Sequence, residues 1–165
     1  MKNFSIKNSD GEIYWISRSV AVSSFILCKF PEGWKVLANK RGKGAADFQG
    51  YWNCPCGYLD FDETTKEAAI REVFEETGVK VPKHRLTFWK FIDSPSQNRQ
   101  NVTFRYYAIL DNQPSYISVS MGDRGGEVDE VEMVGWISVE DLDKYEWAFG
   151  HKEIIRDLIE HLELS

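Results

Sequence analysis

Long apolar runs are missing from this 165-residue chain. No stretch approaches the roughly 18 residues a membrane-spanning helix needs, and the N-terminus has no apolar leader core, so the sequence reads as cytoplasmic. Positive charge is also short: 20 Lys and Arg stand against 26 Asp and Glu, a net charge of −6 with a pI near 5.1. A protein that binds nucleic-acid polymers needs a basic face to neutralise phosphates, so any nucleotide partner is expected to be small. Cysteine is scarce, at three residues. An odd count does not make a disulfide framework, Cys54 and Cys56 are too close for a CxxC pair, and no Cys/His cluster completes a zinc site. The thiols read as structural. Repeats and low-complexity tracts are absent, and Lys40-Arg41-Gly42-Lys43-Gly44, although basic, does not follow the Walker A pattern.

What is present suffices for one core: 42% of residues are hydrophobic and 14% aromatic, which at this length suits a single domain spanning 1–165. Thr64-Thr65-Lys66-Glu67 reads as a capping box, and Gly78 supplies a residue free to adopt the left-handed conformation at a helix end. A helix over about Thr65–Thr77 follows, with Ala69, Ile70, Val73 and Thr77 as its buried stripe and the glutamates projecting beside it. Glu72, Glu75 and Glu76 stand at i, i+3 and i+4, where like charges repel unless a cation sits among them. Carboxylates are hard oxygen donors, which favour magnesium or manganese over zinc.

The segment 57–79 resembles the box of the Nudix hydrolases at nine positions with the family's gaps: Gly57, Glu63, Arg71, Glu72, Val73, Glu75, Glu76, Gly78 and Val79. The resemblance implies metal-dependent hydrolysis of a nucleoside diphosphate linked to another group, on an α/β/α sandwich with a mixed β-sheet between helices. It further implies Glu72, Glu75 and Glu76 as metal ligands with the Gly57 carbonyl, Arg71 as the residue orienting a neighbouring glutamate, and Glu63 as a brace of the loop. Glu72 is also a catalytic candidate, and the general base is either a box glutamate or a distant acid, Glu130 before Glu127. Cys56 and Asp62 occupy positions that are often glycine in the family, which constrains the loop without removing a ligand.

Along the rest of the chain, Phe4–Lys7 and Glu12–Ile16 flank an Asn8-Ser9-Asp10-Gly11 turn and read as a leading hairpin within about 1–18. Val20–Cys28, Trp34–Asn39, Leu86–Ile92, Val102–Leu110, Tyr116–Ser120 and Val131–Ile137 read as strands. Glu140–Tyr145 reads as a helical turn. Glu146–Leu162 carries a helical stripe through Phe149, Ile154, Ile155, Leu158, Ile159 and Leu162. The run Asp93-Ser94-Pro95 with Arg99 and Val102-Thr103-Phe104, and the run Ala148-Phe149-Gly150-His151 with Ile154-Ile155, resemble ADP-ribose-type members of the family. ADP-ribose or a related nucleotide sugar is therefore the leading substrate, with Arg41, Tyr58, Pro95 and Arg99 as substrate-binding candidates. Phe48, Tyr51, Trp52 and Tyr58 could stack on a base, and His151 reads as structural. The alternatives are a nucleoside triphosphate pyrophosphohydrolase and a non-catalytic nucleotide-binding regulatory module. The regulator would need a DNA-binding unit, for which a chain ending at Ser165 leaves no room. The sequence leaves the oligomeric state open, a homodimer included.

Overall fold

The computed structural model describes residues 2–111 and 129–164. The expected strand Tyr116–Ser120 and the acid Glu127 lie outside the described residues. Two long strands form the spine. β3 (Ser19–Phe30) and β8 (Asn101–Leu110) pair in parallel from Ser19 opposite Asn101 to Cys28 opposite Leu110. β4 (Gly33–Arg41) folds back antiparallel on the far half of β3, and β9 (Val131–Ser138) and β5 (Trp52–Asn53) pair with β4. β7 (Thr87–Ile92) flanks β8, while β6 (Cys56–Tyr58) pairs with the near half of β3. One parallel pairing among antiparallel ones makes the sheet mixed. β1 (Phe4–Lys7) and β2 (Ile13–Ile16) form the expected hairpin, exposed throughout and, among the described residues, paired only with each other.

Both faces of this sheet are covered, and strand alternation sends neighbouring residues to opposite layers. Val22, Ile26 and Leu37 pack against Ala68, Ala69 and Val73 of α1 (Thr65–Thr77). Phe25, Leu27, Val36 and Ala38 pack against Ile154, Ile155 and Leu158 of α2 (His151–His161). The result is an α/β/α sandwich.

α1 forms where its caps require. The Thr64 side chain accepts from the Glu67 N–H, the Glu67 side chain accepts from the Thr64 N–H, and Gly78 ends the helix at φ 75°. Its buried face differs from the expected stripe: Ala68 and Glu76 are buried with Ala69, Val73 and Thr77, and Ile70 is only half-buried. α2 starts at His151, five residues after the expected Glu146. The delay has a backbone cause: Trp147 bridges to Trp52, the Ala148 N–H donates to the Trp52 carbonyl, and Phe149 and Gly150 turn the chain at φ 57° and 68°. The helical turn before it is a short 3-10 segment, Leu142–Lys144.

Replacing Thr64 by Ala should destabilise the fold by about 1 kcal/mol, the usual worth of an N-cap side chain. A urea midpoint unchanged in Thr64→Ala would mean that tertiary packing alone holds the first turn.

Candidate active site

Three elements meet at the glutamates. β6 passes over the sheet-facing side of α1, and Gly57 lies so close that a Cβ there would stand 2.1 Å from Glu72 Oε1. Only a glycine lets the backbone run flush against that carboxylate. Glu76, expected to project beside the stripe, instead lies beneath this strand at 2% exposure. It accepts from the Cys56 N–H at 3.3 Å, and from the Asn39 amide at 3.2 Å when that amide is oriented to donate. Cys56 and Asp62, which replace frequent glycines, both have negative φ, so neither position requires glycine's freedom.

Arg71 gathers the acids. It donates to Glu72 Oε1 at 2.7 Å, Glu75 Oε2 at 3.0 Å, Glu63 Oε1 at 2.6 Å and the Tyr58 carbonyl at 2.9 Å. Glu63 also accepts from the Asp60 N–H at 3.0 Å, which ties the loop to the helix. The bond to Arg71 holds Glu63 below the usual carboxylate range. Burial acts the other way on the inner pair. It pushes Glu72 up to about 7 against the pull of Arg71, with Glu75 and Glu130 adding repulsion. Burial first, then Glu72 and Glu130, raise Glu76 well above its ordinary value. Glu130 is thus electrostatically within reach of both, and it lines the same cleft.

Among the described residues no group of three or more His, Cys, Asp or Glu side chains forms a ready-made metal cage. The acids fit a divalent cation by chemistry instead. Glu76 is buried and Glu72 half-buried beside it, Glu72 adds to the rise in the Glu76 pKa, their donors are hard oxygens, and Gly57 lets the backbone approach Glu72 closely.

The cleft in front of the acids measures about 880 Å³. Glu72, Glu75, Arg71, Gly57, Tyr58 and Arg41 all line it. Arg41 is held by Asp47 at 2.9 Å and lies over the Phe149 ring at 5.0 Å. Phe149 and Phe48, 5.0 Å apart, form an aromatic wall. Both have positive φ, at 57° and 49°, a conformation that costs a bulky residue about 1–3 kcal/mol and concentrates at functional sites. Pro95 and Arg99 are exposed on the loop 93–100 and do not line the cleft, whereas Gln97, Asn98 and Gln100 of that loop do. Arg18 fastens the loop by donating to the carbonyls of Asp93, Asn98 and Asn101.

Sequence reasoning passed over Ser23, Asn101 and Arg105, which also line the cleft. A signal was available: Asn101, Thr103 and Arg105 alternate along a strand at the parity of Tyr107 and Ile109, so a charge stands where the helix-facing layer continues.

This fold and this acid cluster define a member of the NUDIX-domain family: the family model matches residues 8–158, and the chain belongs to it. Its structure is similar to the NUDIX domain of Shewanella oneidensis NrtR complexed with ADP ribose, with a TM-score of 0.74 and 23% identity, covering 89% of this chain and 90% of that one. It is also similar to a Francisella tularensis bifunctional NMN adenylyltransferase/ADP ribose pyrophosphatase complexed with AMP and a Mn ion. The TM-score there is 0.67 with 23% identity, over 88% of this chain and 42% of that one. In sequence, the Phosphatase NudJ of Escherichia coli K12 is 48% identical over 42 residues, 25% of this chain. The chain spans 28% of the length of that relative.

His151 is buried beside this site, and its Nδ1 accepts from the Cys54 N–H at 3.0 Å. Burial, reinforced by Arg105 and Arg41, pushes its pKa from 6.5 down to about 3. A folded value below the unfolded one means that the unfolded chain binds the extra proton. His151 therefore contributes stability that is full above about 6.5 and is lost progressively as pH falls toward 3. His151→Asn keeps an acceptor for Cys54 and does not titrate, so its urea midpoint should fall less between pH 7 and pH 5 than that of the wild type. Parallel pH slopes would show that His151 is not the group responsible.

Proposed function

We propose that the chain is a metal-dependent Nudix pyrophosphohydrolase that cleaves the diphosphate bond of a nucleoside diphosphate joined to another group. ADP-ribose or a related nucleotide sugar is the leading substrate, and magnesium or manganese the cation. The observation that carries this is the packing of β6 flush against the half-buried Glu72 at Gly57 with Glu76 buried beneath the same strand, where Glu72 adds to the rise in the Glu76 pKa. Uncompensated burial of two acids is costly, and a bound cation relieves it. Glu72, Glu75, Glu76 and the Gly57 carbonyl are the proposed ligands. A divalent cation held there supplies the positive charge that lets a diphosphate approach the carboxylates and makes an attacking water more acidic.

The chain's own groups do the rest. Arg71 keeps Glu72 and Glu75 turned toward one another and ties them to the loop through Glu63. Glu130, which lines the same cleft, is the candidate base that takes the proton from the attacking water. Arg41, rigid between Asp47 and Phe149, offers a guanidinium to the phosphates. The edge-to-face wall of Phe48 and Phe149 offers aromatic surface to a base, and the exposed Tyr58 a second one. A cleft of about 880 Å³ has room on both sides of a diphosphate, which favours a nucleotide sugar over a nucleoside triphosphate. The likeness to an ADP-ribose-bound NUDIX domain agrees with that choice.

Purified protein incubated with magnesium and ADP-ribose should release AMP and ribose 5-phosphate, read by chromatography alongside sugar nucleotides, dinucleotides and triphosphates. Turnover of triphosphates alone would replace the leading substrate by the sanitising alternative. Silence across the panel, with ligand binding, would instead support a regulatory module. Glu75→Gln or Glu76→Gln should lower turnover by at least about a hundredfold with the fold retained, the scale on which loss of charge stabilisation is felt. Wild-type rates in either variant would remove that residue from the ligand set.

A further inference from the structure

Buried polar atoms without a hydrogen-bond partner are rare, because nothing offsets the water they have lost. Among the described residues five side chains hold such an atom: Arg18, Ser23, Asn101, Arg105 and Trp136. Three of them, Ser23, Asn101 and Arg105, line the cleft that the glutamates face. Ser23 is only 2% exposed. Arg105 makes no ion pair within 4.0 Å among the described residues, whereas Arg41 and Arg71 each have acids.

Strand register explains why these atoms collect there. Ser23 stands opposite Arg105 in the parallel pair of β3 and β8, and opposite Cys56 in the antiparallel pair of β3 and β6. Asn101, Thr103 and Arg105 alternate onto one face of β8 and span about 13 Å at the usual strand rise. Further along the same parity come Tyr107 and Ile109, with Phe25 and Leu27 on β3, all in the layer beneath α2. The face is therefore apolar where α2 covers it and polar where it floors the cleft. The polar part starts one strand from Cys56 and Gly57, hence about 5 Å from the strand that borders Glu72.

The unpaired atoms differ in sign. Arg105 Nε–H can only donate, Asn101 Oδ1 can only accept, and Ser23 Oγ–H can do both. A phosphate or carboxylate only accepts, so it would satisfy Arg105 and leave Asn101 Oδ1 dry. Hydroxyl groups donate and accept, and a ring carrying several of them serves all three atoms along this floor. We propose that Ser23, Asn101 and Arg105 form a sugar subsite, taking the hydroxyls of the pentose or hexose joined to the far phosphate of the diphosphate. The assignment rests on the proposed hydrolase function for where the diphosphate sits.

The test is equilibrium binding by calorimetry with magnesium present, using the uncleavable α,β-methylene analogue of ADP-ribose against α,β-methylene ADP, which lacks the distal sugar. Wild-type protein should prefer the sugar-bearing probe. Arg105→Met and Ser23→Ala should each weaken that probe about tenfold, the worth of a hydrogen bond to a buried polar partner, and leave the ADP analogue within about twofold. Ser23→Ala changes one hydroxyl in a strand and answers the question if Arg105→Met does not fold. Equal weakening of both probes would place Arg105 on the diphosphate and overturn the sugar subsite. So would a wild type that binds the two probes alike or binds neither. Hydrolysis of ADP-ribose by the wild type is measured in parallel: its absence would sink the enzyme assignment, while the binding preference would still decide the subsite.

Discussion

A buried carboxylate set beside a half-buried one is the constraint around which the rest of this molecule is arranged. Glu72 and Glu76 lie one helical turn apart on α1, and β6 covers them while Asn39 and the Cys56 N–H meet Glu76. Like charges so placed in a poorly solvated setting raise the free energy of the folded state unless a countercharge is close. Arg71 supplies part of it, by hydrogen bonds to Glu63, Glu72, Glu75 and the Tyr58 carbonyl. The loop and the helix are fastened to each other by the same guanidinium that restrains the acids, so the geometry of the pocket and the closure of the fold share one side chain.

The sandwich provides the rigidity this needs. α1 is capped at both ends by local chemistry and seated on Val22, Ile26 and Leu37, which fixes the rotation of the helix and with it the direction of the acids. On the other layer α2 closes over Phe25, Leu27 and Val36 and stops short of the near ends of β3 and β8. The cleft is the part of that layer left uncovered. Its wall of Phe48 and Phe149 is held in unfavourable backbone conformations by Arg41, Asp47 and Tyr51 around it, a local cost that the surrounding packing sustains.

Much of this was written in local sequence. The capping residues Thr64 and Glu67 and the terminator Gly78 set α1 at Thr65–Thr77 in both sequence and structure. The long strands were visible through alternation, with ends shifted by a residue or two at most places, as expected where fraying and pairing compete. What escaped was set by tertiary contact. β5 and β6 are only two and three residues long and have no periodicity to detect. The burial of Glu76 comes from a strand twenty positions away in the chain. α2 was expected to begin earlier because Phe149 fits a helical stripe, yet Trp147 and Ala148 are engaged by Trp52. Pro95 and Arg99 were legible only by resemblance, and the loop that carries them turns Gln97, Asn98 and Gln100 inward instead.

The floor of β3 and β8 has a consequence for how such a pocket can diversify. Its positions 21 and 23 on one strand and 101, 103 and 105 on the next line the cleft, and they alternate with residues whose side chains join the opposite core, Val22, which also borders the cleft, and Phe104. Side chains lining the cleft and side chains packed against α1 are thus interleaved in sequence but directed to different layers. Single exchanges at odd-numbered positions change the lining of the cleft while the even-numbered neighbours go on supporting the scaffold, a separation that strand alternation supplies.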